Sequence, residues 1–520
     1  MLFILVAGLI STWALAMPRS VGPDEPGHLV RSGALVRGDL DGRDLFTEGS
    51  SKGFELPSHI GFPDPGCFAF DERTPSTCVN KLVQADGEIM LGTKAASYPI
   101  WGHLAAGLGT FAPPELSTFA ARMLDAAIPA LLITLGLLLL ARLGPSPVAA
   151  GLLALTPSVW FILGVVNPSG LVIAGAFALW SAASNGLTRP DLWWRWGTAL
   201  GFAAVVLPRR DGLIWAALIV ALAALVFQLG LRDWWRALRT GPQITVGVSA
   251  GVALMWSATS DEASSRMLLL APLIPLVAVG ARRAWIRHAV TPQRRLVMGA
   301  TGVVVAGVGA LVAMSLRTDG FDGTVLTRIV GRTGTDLSEA LGILGWLDTP
   351  VPLTARAAWL VAFGMLVGII AVLGSRRDVL ASLLVLAVAV GASWVLTMLK
   401  NDDSGSYWQG RYYLPLLVGV PIVAAHRLRM APRDRDVVAV IAAVALAVPL
   451  IGFAAALRRF GVGTDGSWFP WRWGGTDALL SVLPALAAAA FFVGALWQWW
   501  WLLPGPFEAS ARAEEQSAAD

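Results

Sequence analysis

Long apolar runs separated by short polar segments occupy most of this chain. The residues at 126–141, 297–314 and 437–456 carry almost no charge over stretches of 16 to 20 positions. A helix rises about 1.5 Å per residue, so roughly 20 apolar residues cross about 30 Å of hydrocarbon. The pattern therefore predicts an all-α polytopic membrane protein.

We expect a bundle of about 14 transmembrane helices, with 12 as the lower bound because several runs are short. The predicted spans are roughly 1–17, 117–141, 146–166, 169–187, 195–208, 212–230, 241–257, 267–281, 296–316, 357–374, 378–399, 413–426, 436–456 and 477–503. Residues 1–503 then form one transmembrane domain, which includes the long connecting segments 18–116 and 317–356. The polar residues 504–520 form a disordered cytoplasmic tail.

Arginines mark one side of the predicted membrane domain. Short arginine-rich loops belong in the cytoplasm by the positive-inside rule, and four such loops share a side if the N-terminus is cytoplasmic. They contain Arg232, Arg236 and Arg239; Arg282, Arg283, Arg287, Arg294 and Arg295; Arg376 and Arg377; and Arg427, Arg429, Arg433 and Arg435. The segments 18–116 and 317–356 then lie outside the cell. Residues 14–16 also resemble a signal-peptidase site, but since no positive residue precedes them, a retained first span is favoured.

Composition supports this class of protein. With 520 residues, 55% hydrophobic and 14% charged, and a mean hydropathy of +0.64, the chain is excluded from the ordinary soluble proteins. The net charge of +4 follows the predicted topology and gives no reason to expect nucleic acid as a partner. Abundant alanine, glycine and arginine with very little lysine suggest a GC-rich genome, so we place the chain in a bacterial plasma membrane.

Cys67 and Cys78 are the only cysteines, and both fall in the first predicted outer segment. That compartment permits disulfides, so a structural bridge is the favoured interpretation. Closing a loop of this length would stabilise the fold by about 2–3 kcal/mol. Two unpaired thiols, or a reactive or metal-binding pair, are the alternatives.

Two acids and a histidine follow the first span directly. Asp24 and Glu25 lie between prolines that favour a bend, and His28 follows one turn later. One carboxylate could serve as a general base while its neighbour or His28 orients a ligand. A divalent ion, Mg²⁺ or Mn²⁺, held by Asp24, Glu25 and phosphate is an alternative that no metal-ligand spacing demands. A solvated loop carrying these residues by chance is the other alternative.

Cations on the predicted outer side contradict the positive-inside rule and so require a reason. Guanidinium groups bind phosphate oxygens in pairs, and aromatic rings beside them suit a sugar. These features predict a donor phosphate and sugar site built from Arg209, Arg210, Lys400, Gln409, Arg411 and Tyr412. Pairing of the arginines with Asp211, with lipid head groups or with an interfacial aromatic belt is the alternative.

Other polar residues near the predicted outer side have simpler explanations. Asn167 precedes Pro168 and is expected to cap the following helix. Arg122 and Asp125 are expected to pair on one helix face. The acids at 261–262 are expected in a solvated loop. The segment 344–349 is expected to form an interfacial element beside the predicted site on the outer side.

Several enzyme motifs are absent from the sequence. The chain contains no Walker A loop, no GxSxG elbow, no HExxH pair and no Rossmann fingerprint. Without a nucleotide-binding loop, a transferase acting outside the cell would need a lipid-activated donor.

The polar motifs, taken in order, resemble a known family. Asp24-Glu25-Pro26 with His28, Asn167-Pro168, the segment 345–349 and Gln409-Gly410-Arg411-Tyr412 are similar to those of an uncharacterised family of bacterial multi-pass membrane proteins. That family is itself similar to the GT-C glycosyltransferases. The resemblance implies a polyprenyl-phosphate-sugar transferase in which Asp24 matches the catalytic base or metal contact and Glu25 the second acid.

The sequence therefore predicts a GT-C-like glycosyltransferase that acts on the outer face, with Asp24 as base. Its expected partners are the lipid bilayer, a polyprenyl-phosphate sugar donor and an envelope glycan or lipid acceptor. A flippase or transporter of lipid-linked glycans is the first alternative, and a non-catalytic protein of envelope assembly is the second.

Overall fold

A computed structural model describes most of the chain up to residue 469. The described residues are 1–45, 52–61, 64–77, 87–187, 190–259, 268–288, 323–373, 376–400, 409–426, 428, 435–469 and a few positions between 487 and 494. Within them helices predominate, which confirms the predicted all-α class of membrane protein.

The helices are numbered α1 to α18 in chain order. The first nine are α1 (Leu2–Ala16), α2 (Glu25–Val36), α3 (Leu104–Gly109), α4 (Ser117–Ala141), α5 (Pro145–Ala154), α6 (Pro157–Leu163), α7 (Pro168–Ser184), α8 (Leu192–Val206) and α9 (Gly212–Val226). The others are α10 (Leu231–Leu238), α11 (Thr240–Thr259), α12 (Leu273–His288), α13 (Gly323–Gly342), α14 (Leu353–Leu373), α15 (Arg376–Lys400), α16 (Leu414–Leu417), α17 (Gly419–Ala425) and α18 (Arg435–Val462).

Each predicted span within the described residues coincides with a helix or a pair of helices. Among these residues, four helices (α4, α14, α15 and α18) are long and apolar enough to cross a membrane alone, and the bent pairs α5–α6 and α9–α10 raise this to six. The predicted spans 296–316 and most of 477–503 lie outside the described residues. The count of 14 therefore stays a prediction.

The span predicted at 146–166 is broken rather than continuous. α5 and α6 meet at 69°. The break falls where Pro157 follows Thr156, because the residue before a proline is driven out of the helical region. Thr156 is extended, and its hydroxyl accepts a hydrogen bond from the Val159 amide at 3.4 Å, which caps the second helix.

α7 lies at the centre of the bundle. It packs against α4 and α8, and nearly every one of its residues is buried. Small residues bring α7 and α8 together, since a side chain at Gly175 would meet the Gly201 carbonyl at 2.8 Å and Ala204 at 2.7 Å. The outer helices α14 and α15 instead expose apolar side chains such as Val372, which is 81% exposed, as contact with lipid requires.

The segment between α1 and α4 has a structure of its own. Strands β1 (Arg43–Asp44), β2 (Lys52–Pro57) and β3 (Glu88–Thr93) form an antiparallel sheet in the order β1-β2-β3. Phe54, Leu56 and Leu91 from the sheet pack on Val30 and Ala34 of α2, which gives this segment a small core. The core fixes α2, and α2 begins beside Asp24.

A hairpin of strands β4 (Ile343–Leu344) and β5 (Thr349–Pro350) leads from α13 to α14. Its Asp348 carboxylate pairs with the buried Arg459 of α18 at 2.9 Å and accepts from the Phe70 amide at 3.1 Å. Trp346 Nε1 donates to the Ser20 carbonyl at 2.9 Å. The hairpin therefore lies against the chain that leads into Asp24.

The structure describes only one of the two cysteines in the predicted disulfide. Cys67 is disulfide-bonded. Cys78 lies outside the described residues, so its pairing with Cys67 stays a prediction. Arg459 holds the same loop, because its guanidinium donates to the carbonyls of Phe68, Asp71 and Thr74.

Close packing of α7 on α8 generates a test with a matched control. Gly175→Ala should destabilise the protein by about 1–3 kcal/mol through overpacking. Gly251→Ala should be neutral or stabilising by up to about 1 kcal/mol, because Gly251 of α11 has open space around it. Thermal unfolding of the two variants in the same detergent measures both effects, and equal melting temperatures would contradict this packing.

Candidate functional site

A buried ion pair joins Glu25 at the start of α2 to Arg122 of α4. Neither side chain has any exposed surface, and the contact is bidentate, with Nε to Oε1 and Nη2 to Oε2 both at 2.7 Å. The carboxylate also accepts from the amides of Val166 at 3.0 Å and Gly22 at 3.3 Å. The remaining guanidinium hydrogens reach carbonyls at the end of α1, those of Ala14, Met17 and Pro18.

This pair corrects one expectation and refines another. Arg122 was expected to pair with Asp125, but its guanidinium is turned to Glu25 instead. Buried charges are stable only when paired and fully hydrogen-bonded, and Glu25 meets that condition with every acceptor occupied. Such a carboxylate is placed to position its neighbour Asp24, and it has no exposed oxygen for a substrate.

Asp24 precedes the buried Glu25 in the chain, and its own side chain is partly exposed to solvent. Its backbone is in the left-handed region with φ at 60°, where asparagine and aspartate are the non-glycine residues that fit most readily. Its side chain is about half exposed and forms an ion pair with Arg411. Residues 387 positions apart in the sequence thus meet at one point.

The segment that contains the Gln409–Tyr412 motif is hydrogen-bonded to α13. The Gly410 amide donates to Glu339 at 2.8 Å, and the Tyr413 hydroxyl donates to Asp336 at 3.0 Å. Arg332, one and two turns earlier on the same helix, contacts both carboxylates. Position 410 requires glycine because an added Cβ would lie 2.3 Å from the Asp336 carbonyl.

Arg411 is buried yet incompletely bonded. The residue is 8% exposed, and only its Nη2 is engaged, with Asp24 and with the Tyr412 hydroxyl. Its Nε and Nη1, and the Oε1 atom of Gln409, have no hydrogen-bond partner in the described part of the chain. Buried donors are rarely left unpaired, so these atoms mark a place where a ligand would be bound.

Arg411 and Gln409 line a narrow crevice. Its other walls come from Pro23 beside Asp24, from α6, from Glu339 of α13 and from the hairpin. The α6 and hairpin residues are Ser158, Phe161, Ile162, Ile343, Leu344, Gly345 and Leu347. An apolar cavity of about 180 Å³ lies next to it, bounded by Leu337, Ala340, Trp359, Phe363, Leu386, Leu414 and neighbouring residues. Glu339 and Ala340 are consecutive, so the crevice and the apolar cavity flank the same turn of α13.

Arg209 joins the site through an aromatic ring. Its guanidinium is held by Asp211 at 2.9 Å and Ser169 at 3.0 Å, and it lies 4.7 Å from the centre of the Tyr412 ring. Arg411 lies 5.1 Å from the same ring. Tyr412 is therefore flanked by two buried arginines. Burial opposes the charge of Arg209, but the Asp211 carboxylate and the nearby tyrosines raise its pKa well above the ordinary value.

The other predicted cations are placed differently. Arg210 Nε donates to the Ser97 carbonyl at 2.7 Å, away from Arg411. Lys400 is the last residue of α15, and its side chain lies outside what the structure describes, as do residues 261 and 262. Asn167 caps α7 as expected, and its amide also donates to the Pro23 carbonyl at 2.9 Å.

His28 lies in a buried cluster behind Asp24. Its Nδ1 is 3.2 Å from Nε2 of His103, and Tyr98 packs edge-on against its ring. Burial, with smaller contributions from His103, Arg411 and Arg209, lowers the pKa of His28 well below its usual value. Burial likewise lowers the pKa of His103 to about 3 and raises that of Tyr98 to about 12.

The described residues give no independent support for a metal. Within the ranges given above, no group of three or more His, Cys, Asp or Glu side chains is arranged to hold an ion. Glu25 is saturated by Arg122 and by backbone amides. A Mg²⁺ or Mn²⁺ ion at Asp24 therefore stays a prediction.

Sequence reasoning missed several residues that build this site. Arg332, Asp336 and Glu339 recur at helical spacing on α13, a pattern that could have been noticed. His103 and Tyr98 stand alone in the sequence and gave no signal. The partner of Arg122 could have been sought among all outer acids, because a charge in an apolar helix needs one.

Loss of either partner of the Glu25–Arg122 pair should destabilise the fold strongly. Glu25→Gln leaves a buried guanidinium unpaired, which costs about 3–5 kcal/mol. Asp44→Asn removes the exposed pair of Asp44 with Lys52 and should change stability by at most about 1 kcal/mol. Thermal unfolding of both variants measures the two changes in stability. A wild-type melting temperature for Glu25→Gln would show that the buried pair does not stabilise the fold.

The buried histidines predict acid sensitivity. A histidine whose pKa is lowered on folding contributes stability above its unfolded pKa near 6.5, and loses it as pH falls towards the folded value. For His103, with a pKa of about 3, the loss between pH 7 and pH 5 is about 2 kcal/mol. Melting temperatures at both pH values should fall less in His103→Gln than in the wild type. An equal fall would contradict the buried neutral histidine.

Comparison with known proteins places the chain in a family. No curated protein matches it. The crystal structures of ArnT from Cupriavidus metallidurans, one bound to undecaprenyl phosphate and one in the apo state, are similar with a TM-score of 0.40 and 15% identity. The likeness covers 95% of this chain and 76% and 75% of the ArnT chains, and at this level it carries no information on activity. A family model described as predicted membrane protein (DUF2142) matches residues 7–420, so this chain belongs to the DUF2142 family.

Proposed function

We propose that this chain is a membrane glycosyltransferase that moves a sugar from a polyprenyl-phosphate donor to an envelope glycan or lipid acceptor. The observation that carries the proposal is the buried guanidinium of Arg411, which lines a crevice and lies in contact with Asp24. Two of its nitrogens have no hydrogen-bond partner among the residues that the structure describes. A cation, a half-exposed carboxylate and an apolar cavity together match the three parts of such a reaction.

The phosphate would bind at Arg411. A guanidinium presents paired donors that match phosphate oxygens, and burial strengthens the attraction because little water screens it. Arg209, whose guanidinium lies 4.7 Å from the centre of the Tyr412 ring, adds a second positive charge. Arg210 is turned to the Ser97 carbonyl and would contribute at longer range.

The prenyl chain would occupy the apolar cavity beside α13. Its walls are almost wholly hydrophobic, and several come from the candidate membrane helices α14 and α15. A lipid phosphate with its head at Arg411 could therefore keep its tail out of water.

Asp24 would act as the general base. Its carboxylate takes the proton from an acceptor hydroxyl as that oxygen attacks the anomeric carbon of the sugar. The bond between that carbon and the phosphate oxygen breaks, and polyprenyl monophosphate leaves with its charge stabilised by Arg411. Glu25 is assigned the positioning of Asp24 instead of the role of second acid, because Arg122 and amides occupy its oxygens.

The outer face is the proposed side of action. It follows from the arginine-rich loops, which belong in the cytoplasm under the positive-inside rule. The segment between α1 and α4, with its sheet and its cysteines, would then stand outside and contact the acceptor.

Label transfer from a panel of radiolabelled polyprenyl-phosphate sugars to membrane-extracted acceptors tests this function in nanodiscs. Asp24→Asn should lose about 10²–10⁴-fold in rate, since base catalysis contributes that much. Asparagine tolerates the left-handed backbone at this position, so the fold should be retained. Asp41→Asn, an exposed acid of the same segment, should transfer label as the wild type does.

Two outcomes would contradict the proposal. Transfer by Asp24→Asn at the wild-type rate would remove Asp24 as the base. No transfer from any donor by the wild type, together with binding of a lipid-linked glycan, would favour a flippase or transporter.

A further inference from the structure

The contact between His28 and His103 fixes where the protons lie. His103 Nδ1 is 3.3 Å from the Pro99 carbonyl, and a carbonyl oxygen can only accept a hydrogen bond. His103 Nδ1 must therefore carry a proton. With its pKa lowered to about 3 by burial, His103 is neutral, so its Nε2 is bare and acts as an acceptor.

The protonation of His103 also determines which nitrogen of His28 carries a proton. Because His103 Nε2 can only accept, the His28 Nδ1 that lies 3.2 Å away must donate. His28 is 2% exposed and neutral, so its own Nε2 is bare. Among the described residues none donates a hydrogen bond to that nitrogen.

Burial and two nearby arginines favour the neutral form of His28. Arg411 approaches from the 409–413 motif, and Arg209 approaches from the loop between α8 and α9. Tyr98 packs on the ring from the segment that also carries His103, and burial raises its pKa to about 12, so it stays neutral. Asp24, one turn earlier in the chain, is paired with Arg411.

We propose that His103 is a positioning residue that fixes His28 as the tautomer protonated at Nδ1, so that His28 Nε2 accepts a hydrogen bond from a sugar hydroxyl. The sugar in this proposal rests on the proposed glycosyltransferase function, whereas the tautomer does not. A bare nitrogen repels phosphate oxygens, which carry no proton to donate. His28 would therefore select the hydroxyl-bearing part of a substrate while Arg411 holds its phosphate.

Nitrogen NMR of the full chain tests the tautomer directly. With ¹⁵N-labelled histidine in nanodiscs, the chain gives signals from only 5 histidines, and protonated and bare ring nitrogens are well separated. The pair of signals lost in His28→Gln belongs to His28. We expect a protonated Nδ1 and a bare Nε2 from pH 5 to pH 8, and the wild-type spectrum decides this without any His103 variant.

Variants of His103 test whether it sets the tautomer. In His103→Gln the amide oxygen can take the acceptor position, so the His28 signals should be retained. In His103→Phe that acceptor is lost, so His28 should become a mixture of the two neutral tautomers, because burial still keeps its pKa low. His59→Gln, a change in another histidine of the same segment, should leave the His28 signals unchanged. A bare Nδ1 in the wild type, or an unchanged tautomer in His103→Phe, would overturn the proposal.

Label transfer tests the acceptor role. His28→Gln keeps an acceptor near the Nε2 position and should retain more transfer than His28→Leu, in which about tenfold is lost with the hydrogen bond. Transfer by His103→Phe should be weaker than by the wild type, because the fraction of His28 that carries its proton on Nε2 cannot accept a hydrogen bond. Equal loss in both His28 variants would overturn the acceptor role. If the wild type transfers no label, the proposed function fails, and the NMR result still decides the tautomer.

Discussion

The bidentate pair of Glu25 and Arg122 is the constraint on which the site depends. It ties together the end of α1, the turn at Gly22, the start of α2, the second turn of α4 and the chain before α7. All these contacts lie in a space with no exposed side-chain surface, where an unpaired charge would be very unfavourable. The position of Asp24 is therefore set by elements that are far apart in sequence.

From this anchor the site extends to the second half of the chain. Asp24 reaches Arg411, and Arg411 is held in place because Gly410 and Tyr413 are hydrogen-bonded to Glu339 and Asp336 of α13. Asp24 also has an uncommon left-handed backbone, a feature that recurs at functional sites. In the described part of the chain, Nε and Nη1 of Arg411 have no hydrogen-bond partner, and the Arg411 side chain lines the crevice beside α13.

Periodicity and composition were sufficient for the class of protein and for the positions of its helices. The run at 117–141 is a helix with the predicted bounds, because an apolar segment without breaks can satisfy its backbone only in that way. The break at Thr156 and the bend after α9 were missed, since apolarity alone does not reveal a change of direction. The sequence indicated Asp24 and Arg411 as candidate functional residues. It did not show that their side chains form an ion pair. Nor could it show that Glu25 is saturated, because Arg122 and Val166 meet it only through the tertiary fold.

The central claim is that Arg411 binds the phosphate of the donor and that the Asp24 carboxylate pairs with Arg411 when no donor is bound. Binding of a polyprenyl monophosphate without a sugar tests this claim. The dissociation constant would be measured for the wild type, Arg411→Gln and Asp24→Asn in nanodiscs. Arg411→Gln should bind at least about tenfold more weakly, since a hydrogen bond to a charged group is lost. Asp24→Asn should bind as tightly as the wild type or more tightly, because the competing carboxylate is gone. Equal weakening in both variants, or wild-type binding by Arg411→Gln, would contradict the account.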